Sequence, residues 1–127
     1  MKPFIQIPGL VVRVDNVMHL PTLDTPPDKP HAFVYFLAIE NASNTVVTVK
    51  GRKWVVTEDN GEVVVVEGPG VVGETPTLGH GEEFSYNSCH VIASDAVACG
   101  SLFGVTEDGD MFSVEIPEFS MEVPTSG

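Results

Sequence analysis

Gly68-Pro69-Gly70-Val71-Val72-Gly73 has the spacing G-x-G-x-x-G. In a dinucleotide-binding fold that spacing works because a helix N-terminus follows and aims backbone amides at a pyrophosphate. Here Glu74, Thr75 and Pro76 lead on into another loop, so the fingerprint lacks its helix. Two lesser chemistries remain open. The glycines expose amides as an anion-binding nest for phosphate or pyrophosphate, with Glu67 and Glu74 opposing it by charge. Otherwise the segment from Gly68 to Glu74 is a shaped loop, stiffened by Pro69, that presents a surface to a partner. Upstream, Lys50, Arg52 and Lys53 gather half of the chain's 6 positive charges beside its single tryptophan, Trp54. Arg52, Lys53 and Trp54 together read as a partner or anion contact, since Arg and Trp dominate interface energetics. The competing reading, which we favour for Trp54, makes it the core tryptophan of the fold.

Metal and catalytic constellations are weaker. His80, Cys89, His90 and Cys99 are soft ligands in one half of the chain, but zinc needs about four such groups converging tetrahedrally. On one strand Cys89 and His90 point to opposite faces. Glu58, Asp59, Glu62, Glu107, Asp108 and Asp110 gather at two turn signals. Such tips hold Mg²⁺ weakly at best, because that ion keeps most of its waters. Ser, His and Asp occur, but no nucleophile sits in a recognisable turn beside a base. The expectation is a protein without catalytic residues, metal or cofactor.

The elements that must position these residues are strands. Valine occurs 21 times in 127 residues, and a β-branched side chain packs well on a pleated surface. Strands are expected at Leu10–Met18, Ala32–Ile39, Thr45–Thr57, Glu62–Glu67, Glu82–Val91, Ala98–Glu107 and Met111–Ile116. The return strand from Glu62 is built on four consecutive valines. Asn60-Gly61 and Asp108-Gly109 supply the positive φ of tight hairpin turns. Pro21, Pro26, Pro27 and Pro30 make 19–31 an extended loop, and 68–81 reads as a second long loop. Pro117 is expected to end the last strand and 121–127 to fray. No window has helical period. About seven antiparallel strands point to an all-β sandwich of immunoglobulin or fibronectin type III kind, with a closed barrel as the runner-up.

Length and charge bound the rest. The chain fits one domain, with its core over about 11–119. Against 6 basic residues stand 18 acidic ones, a formal net charge of −12, which repels nucleic acid and anionic membranes and favours basic partners or cations. The absence of an 18-residue apolar run argues against a membrane span. Two cysteines make no disulfide framework, and the N-terminus does not read as a signal peptide, so the expected address is cytoplasmic.

Several blocks carry a family resemblance. Arg52-Lys53-Trp54, Thr57 to Gly61, and Val66 to Pro76 follow the order and spacing of the ApaG domain. So do Gly81-Glu82 with Phe84 and Tyr86-Asn87-Ser88, and Gly100 to Phe119 with Glu107-Asp108-Gly109 and Val114 to Phe119. The chain resembles that family over roughly 11–119. It departs where Ser88 directly precedes Cys89, where the family has Gly, and at Leu102 and Gly104, where the family favours Tyr and Met. The resemblance implies a fibronectin type III-like sandwich, small cytoplasmic bacterial proteins associated genetically with cobalt and magnesium efflux, and eukaryotic relatives in which the domain is a protein-interaction module. It offers no catalytic residues to carry over. The expected function is a non-enzymatic interaction module, with an exposed strand edge open to a homodimer. The alternative is a small-ligand protein taking phosphate, pyrophosphate or a divalent metal at the glycine loop.

Overall fold

Period-two alternation of apolar and polar residues organises the computed structural model, which describes residues 3–21 and 24–124. Among the described residues it forms eight strands: β1 (Leu10–Leu20), β2 (His31–Asn41), β3 (Val47–Glu58), β4 (Val63–Pro69), β5 (Thr77–Leu78), β6 (Glu82–Ile92), β7 (Ala96–Thr106) and β8 (Met111–Met121). One sheet runs β1-β2-β6. The other runs β4-β3-β7-β8, with β5 pairing the start of β3. Every pairing between these strands is antiparallel. The two sheets pack as the sandwich that the strand pattern implies.

The core lies between them. Phe33, Tyr35, Leu37 and Ile39 alternate along β2 and face inward. Trp54 and Val56 of β3, Leu102 of β7, and Phe112, Ile116 and Phe119 of β8 meet them from the other sheet. Trp54 packs with its ring centroid 5.0 Å from Tyr35 and 5.7 Å from Phe119. Both hairpin signals hold: Gly61 (φ 94°) and Gly109 (φ 85°) turn β3 into β4 and β7 into β8.

Three expectations need correction. Pro117 does not end β8. The β7–β8 register jumps from Gly100↔Ile116 to Ala98↔Phe119, so Pro117 and Glu118 together oppose Cys99 in a bulge. A residue without a donor is tolerated there, and the strand continues. Nor does the chain fray at Met121, which is fully buried, and Val123 N donates to Asp95 Oδ1 at 2.6 Å. Residues 125–127 lie outside the described residues. The second long loop is also shorter than expected, because β4 runs on to Pro69 and β5 falls inside it.

The sandwich is closed on one side and open on the other. On the closed side β1 packs against β8, and Ile5 pairs with the β8 edge through Ile5 N to Met111 O at 2.9 Å and Ser113 N to Ile5 O at 3.0 Å. On the open side the edge strands β4 and β6 belong to different sheets and barely touch.

Candidate functional site

Strand alternation splits the Arg52-Lys53-Trp54 segment. Its partners on β4 are Gly68, Glu67 and Val66 in turn. Trp54 is 2% exposed and faces the core. Lys53 faces the opposite side, 3.6 Å from Glu67. Arg52 lies half-buried with its guanidinium over Gly68, where a Cβ would sit 3.0 Å from Nη1. The three residues therefore do not form one contact surface, and Trp54 is the core tryptophan. Period two along β3, applied in register, is the signal that separates them.

Arg52 does converge on the glycine loop. Its Nη1 donates to Pro69 O at 2.9 Å and to Gly70 O at 3.1 Å. The loop thus turns carbonyls toward the cation. Its amides are used internally: Gly70 N donates to Lys50 O at 2.7 Å, Val71 N to Glu74 O at 2.8 Å and Glu74 N to Val71 O at 2.9 Å. A nest with those three donors already bonded, beside an Arg already capped by carbonyls, is poorly prepared to take phosphate.

Within this loop Val71 is fully buried, so it anchors the loop to the core and is not part of an exposed contact surface. Val72 and Gly73 follow with φ of 45° and 82°, the two positive values of a type I′ turn spanning Val71–Glu74. Gly70 is required by contact as well as conformation, since a Cβ there would lie 2.5 Å from Glu74 O. Val72, 48% exposed, is a β-branched residue held in the left-handed region, at a cost of about 1–2 kcal/mol. Val72→Asn is therefore expected to stabilise the protein by about 1 kcal/mol, read as a melting temperature raised by a few degrees. An unchanged or lower melting temperature would mean that the turn carries no such strain.

The soft-ligand candidates scatter. Cys89 and Cys99 are free and exposed on different sheets. His80 Nδ1 lies 3.0 Å from Ser43 O, and His90 faces inward beside Tyr35 and Trp54. Among the described residues no group of three or more His, Cys, Asp or Glu is arranged to hold a metal.

The acidic tip after β3 hides a different role. The Glu58 side chain is fully buried. It accepts from Ala93 N and Ser94 N, both at 2.8 Å, from Ser94 Oγ at 3.2 Å and from Lys29 Nζ. Lys29 also reaches Glu62 at 2.8 Å. Burial by itself raises the Glu58 carboxyl, but the bonds from Lys29 and the two amides outweigh it and bring it down to about 2. Sequence reasoning placed Glu58 with solvated turn acids. A carboxylate opposite a lone Lys in a proline-rich loop carries no local signal of burial.

The cleft on the open side is a groove of about 410 Å³ between β4 and β6. Tyr35, Trp54 and Val56 form its floor, Val64 and Val66 one wall, and Ser88 and His90 the other. Arg52 and the Lys29–Glu58 pair also line it. Two polar atoms on the inner face of β6, Tyr86 Oη and His90 Nε2, are buried without a hydrogen-bond partner. Burial pushes the Tyr86 phenol up and the His90 imidazole down to about 4, so both are neutral at pH 7. Beside the groove, β4 shows an uncharged edge: Val63 is 55% exposed, Val65 53% and Val66 36%.

Comparison with known proteins then bears on the whole arrangement. A family model described as the ApaG domain matches residues 21–105. A protein ApaG from Beijerinckia indica is 42% identical over 74% of this chain and 73% of its own. One from an Enterobacter species is 38% identical over 95% of this chain and 97% of its own. A crystal structure of an ApaA protein from Bordetella pertussis superposes with a TM-score of 0.82 at 30% identity, covering 98% of this chain and all of that one.

Proposed function

The chain belongs to the ApaG domain family, and from that premise we propose that it is a non-enzymatic protein-interaction module. The observation that carries this reading is the β4 edge. Four consecutive valines run along an edge strand that is paired with β3 on one side only, and Val63, Val65 and Val66 are exposed on it. Soluble proteins usually blunt such an edge with Lys, Pro or a bulge. Between Val63 and Val66 this one carries none of these. An uncharged, exposed edge on a body of net charge −12 is the kind of surface that a partner covers.

The groups able to do acid–base chemistry support the non-catalytic side of the reading. Glu58 is saturated by donors, and His90 is buried and neutral. The free, exposed Cys89 and Cys99 suit a reducing cytoplasm. We take the family's link to cobalt and magnesium to run through the partner, with the module as an adaptor.

The test uses the full chain as bait. Val63→Glu/Val65→Glu, at positions more than half exposed, is expected to leave the melting temperature nearly unchanged and to reduce retention of a specific partner at least about tenfold, as when a hot spot is lost. Equal retention by bait and variant would remove β4 from the surface. A bait that retains nothing above an unrelated acidic protein would end the reading.

A further inference from the structure

We propose that the groove between β4 and β6 receives an extended, uncharged, aliphatic segment of a partner polypeptide, which adds a strand along the open edge of β4 and sends alternate side chains inward over His90 and Tyr86. The inference rests on the interaction-module reading and deepens it by naming the partner's chemistry.

The first reason is the asymmetry of the sandwich. Phe84, Tyr86, Ser88 and His90 alternate on the inner face of β6, and each is only half-buried. Inner-facing residues of a sandwich strand are normally covered by the opposite sheet. Here that sheet stops at β4, and a strand added beside β4 would lie over them. Strand addition to an exposed edge is a common mode of peptide recognition, with main-chain bonds giving affinity and side-chain pockets giving specificity.

The second reason is the pair of unpartnered atoms. Buried polar groups without hydrogen bonds are rare, because each has given up water for nothing in return. Tyr86 Oη and His90 Nε2 are two such atoms on one strand face, four residues apart and so roughly 13 Å along β6 at the rise of a strand. Both atoms are covered in the free chain, and a segment that parts β4 from β6, which barely touch, would offer each an amide N–H or a carbonyl along an extended backbone.

Charge decides the remaining chemistry. The groove's ionic groups are already engaged: Lys29 with Glu58 and Glu62, and Arg52 with the carbonyls of Pro69 and Gly70. The carbonyls leave the charge of Arg52 in place, so an incoming cation would be desolvated beside a like charge, and an incoming anion would approach a body of net charge −12; the inserted part is therefore uncharged. A second copy of the chain meets a like net charge of −12, which disfavours self-pairing at the same edge.

The experiment pans phage-displayed random heptapeptides on the full chain and then titrates synthetic versions of the selected peptides, reading the emission of Trp54, the single tryptophan and part of the groove floor. Selected peptides are expected to carry Val, Ile or Thr at alternate positions and to shift Trp54 emission saturably. Val66→Lys, which leaves the amine free to reach solvent, is expected to weaken them about tenfold. His90→Phe is expected to weaken them several-fold with the melting temperature retained. Selected peptides that bind without moving Trp54 and survive both substitutions would overturn the groove while leaving the module reading intact. Recovery of no binding peptide would count against both. A dimer of the chain in sedimentation, lost with Val66→Lys, would make the occupant a second copy and overturn the proposal.

Discussion

Gly104→Ala is expected to abolish the native fold. Gly104 lies in β7, opposite Val49, one position from the register jump between Val49 and Gly51 of β3. A Cβ at this position would stand 1.9 Å from Thr48 O and 2.9 Å from both Thr48 C and Phe112 Cε1. Two of those atoms are backbone of the neighbouring strand, and the third belongs to a fully buried ring. Nothing there can yield without prising β7 from β3. The expected loss, above about 4 kcal/mol, is a large part of the stability of a domain this size. The measurement is urea unfolding followed by circular dichroism, with Gly109→Ala as the comparison. At Gly109 nothing lies within 4 Å, and only the φ of 85° opposes a side chain, so about 1–2 kcal/mol is expected there. If Gly104→Ala unfolds no earlier than Gly109→Ala, the close approach of the two strands is wrong.

Glu58 carries the second large effect. Glu58→Gln is expected to lower the unfolding free energy by about 2–3 kcal/mol, because it keeps one carbonyl for the amides of Ala93 and Ser94 but turns an amide group without charge toward Lys29, and Glu58→Ala by about 4 kcal/mol, because it removes the acceptor of all three. The pH dependence identifies the cause. The folded carboxyl titrates near 2, against an ordinary value of 4.5. Above pH 4.5 the carboxylate is ionised in both states and its contribution is fully present. As pH falls from 4.5 toward 2 the unfolded chain binds the proton first, and the contribution disappears. A carboxyl held that far below its ordinary value contributes at most about 3 kcal/mol. Glu58→Gln should therefore flatten the stability curve between those pH values and do little to its shape above pH 5. A variant that keeps the full acid dependence would show that other carboxylates carry it.

Much of this was legible in the residues. The short apolar run Ala32–Ile39, closed by Glu40 and Asn41, is a statement about a central, well-buried strand, and a sheet that buries it needs a second layer opposite. Asn60-Gly61 and Asp108-Gly109 encode their turns locally, because φ above zero is a property of the residue. Glycine at positions 70 and 73 carries the same kind of local information, which is why the loop is distinctive even without its neighbours.

The candidate site was legible only in part. Charge and spacing drew attention to Arg52, Lys53 and Trp54, but strand alternation sends Trp54 into the core and Lys53 outward. Val71 and Val72 look alike in sequence, yet one is buried and the other lies exposed at a turn with positive φ. The four valines from Val63 mark a return strand without saying where it lies in a sheet. Only the sheet order makes β4 an edge, because which strand lacks a neighbour depends on pairings between distant segments.

Glu58 shows the same division most sharply. As a residue it is a turn carboxylate. Its burial comes from Lys29, 29 residues before it, and from amides 35 and 36 residues after it. The sequence by itself determined the strands, the turns and the acidic balance, since these rest on the intrinsic stereochemistry and charge of each residue. The tertiary structure alone decided which edge stays open, which polar atoms lack partners and which acid is buried, because each of those depends on what the rest of the chain brings alongside.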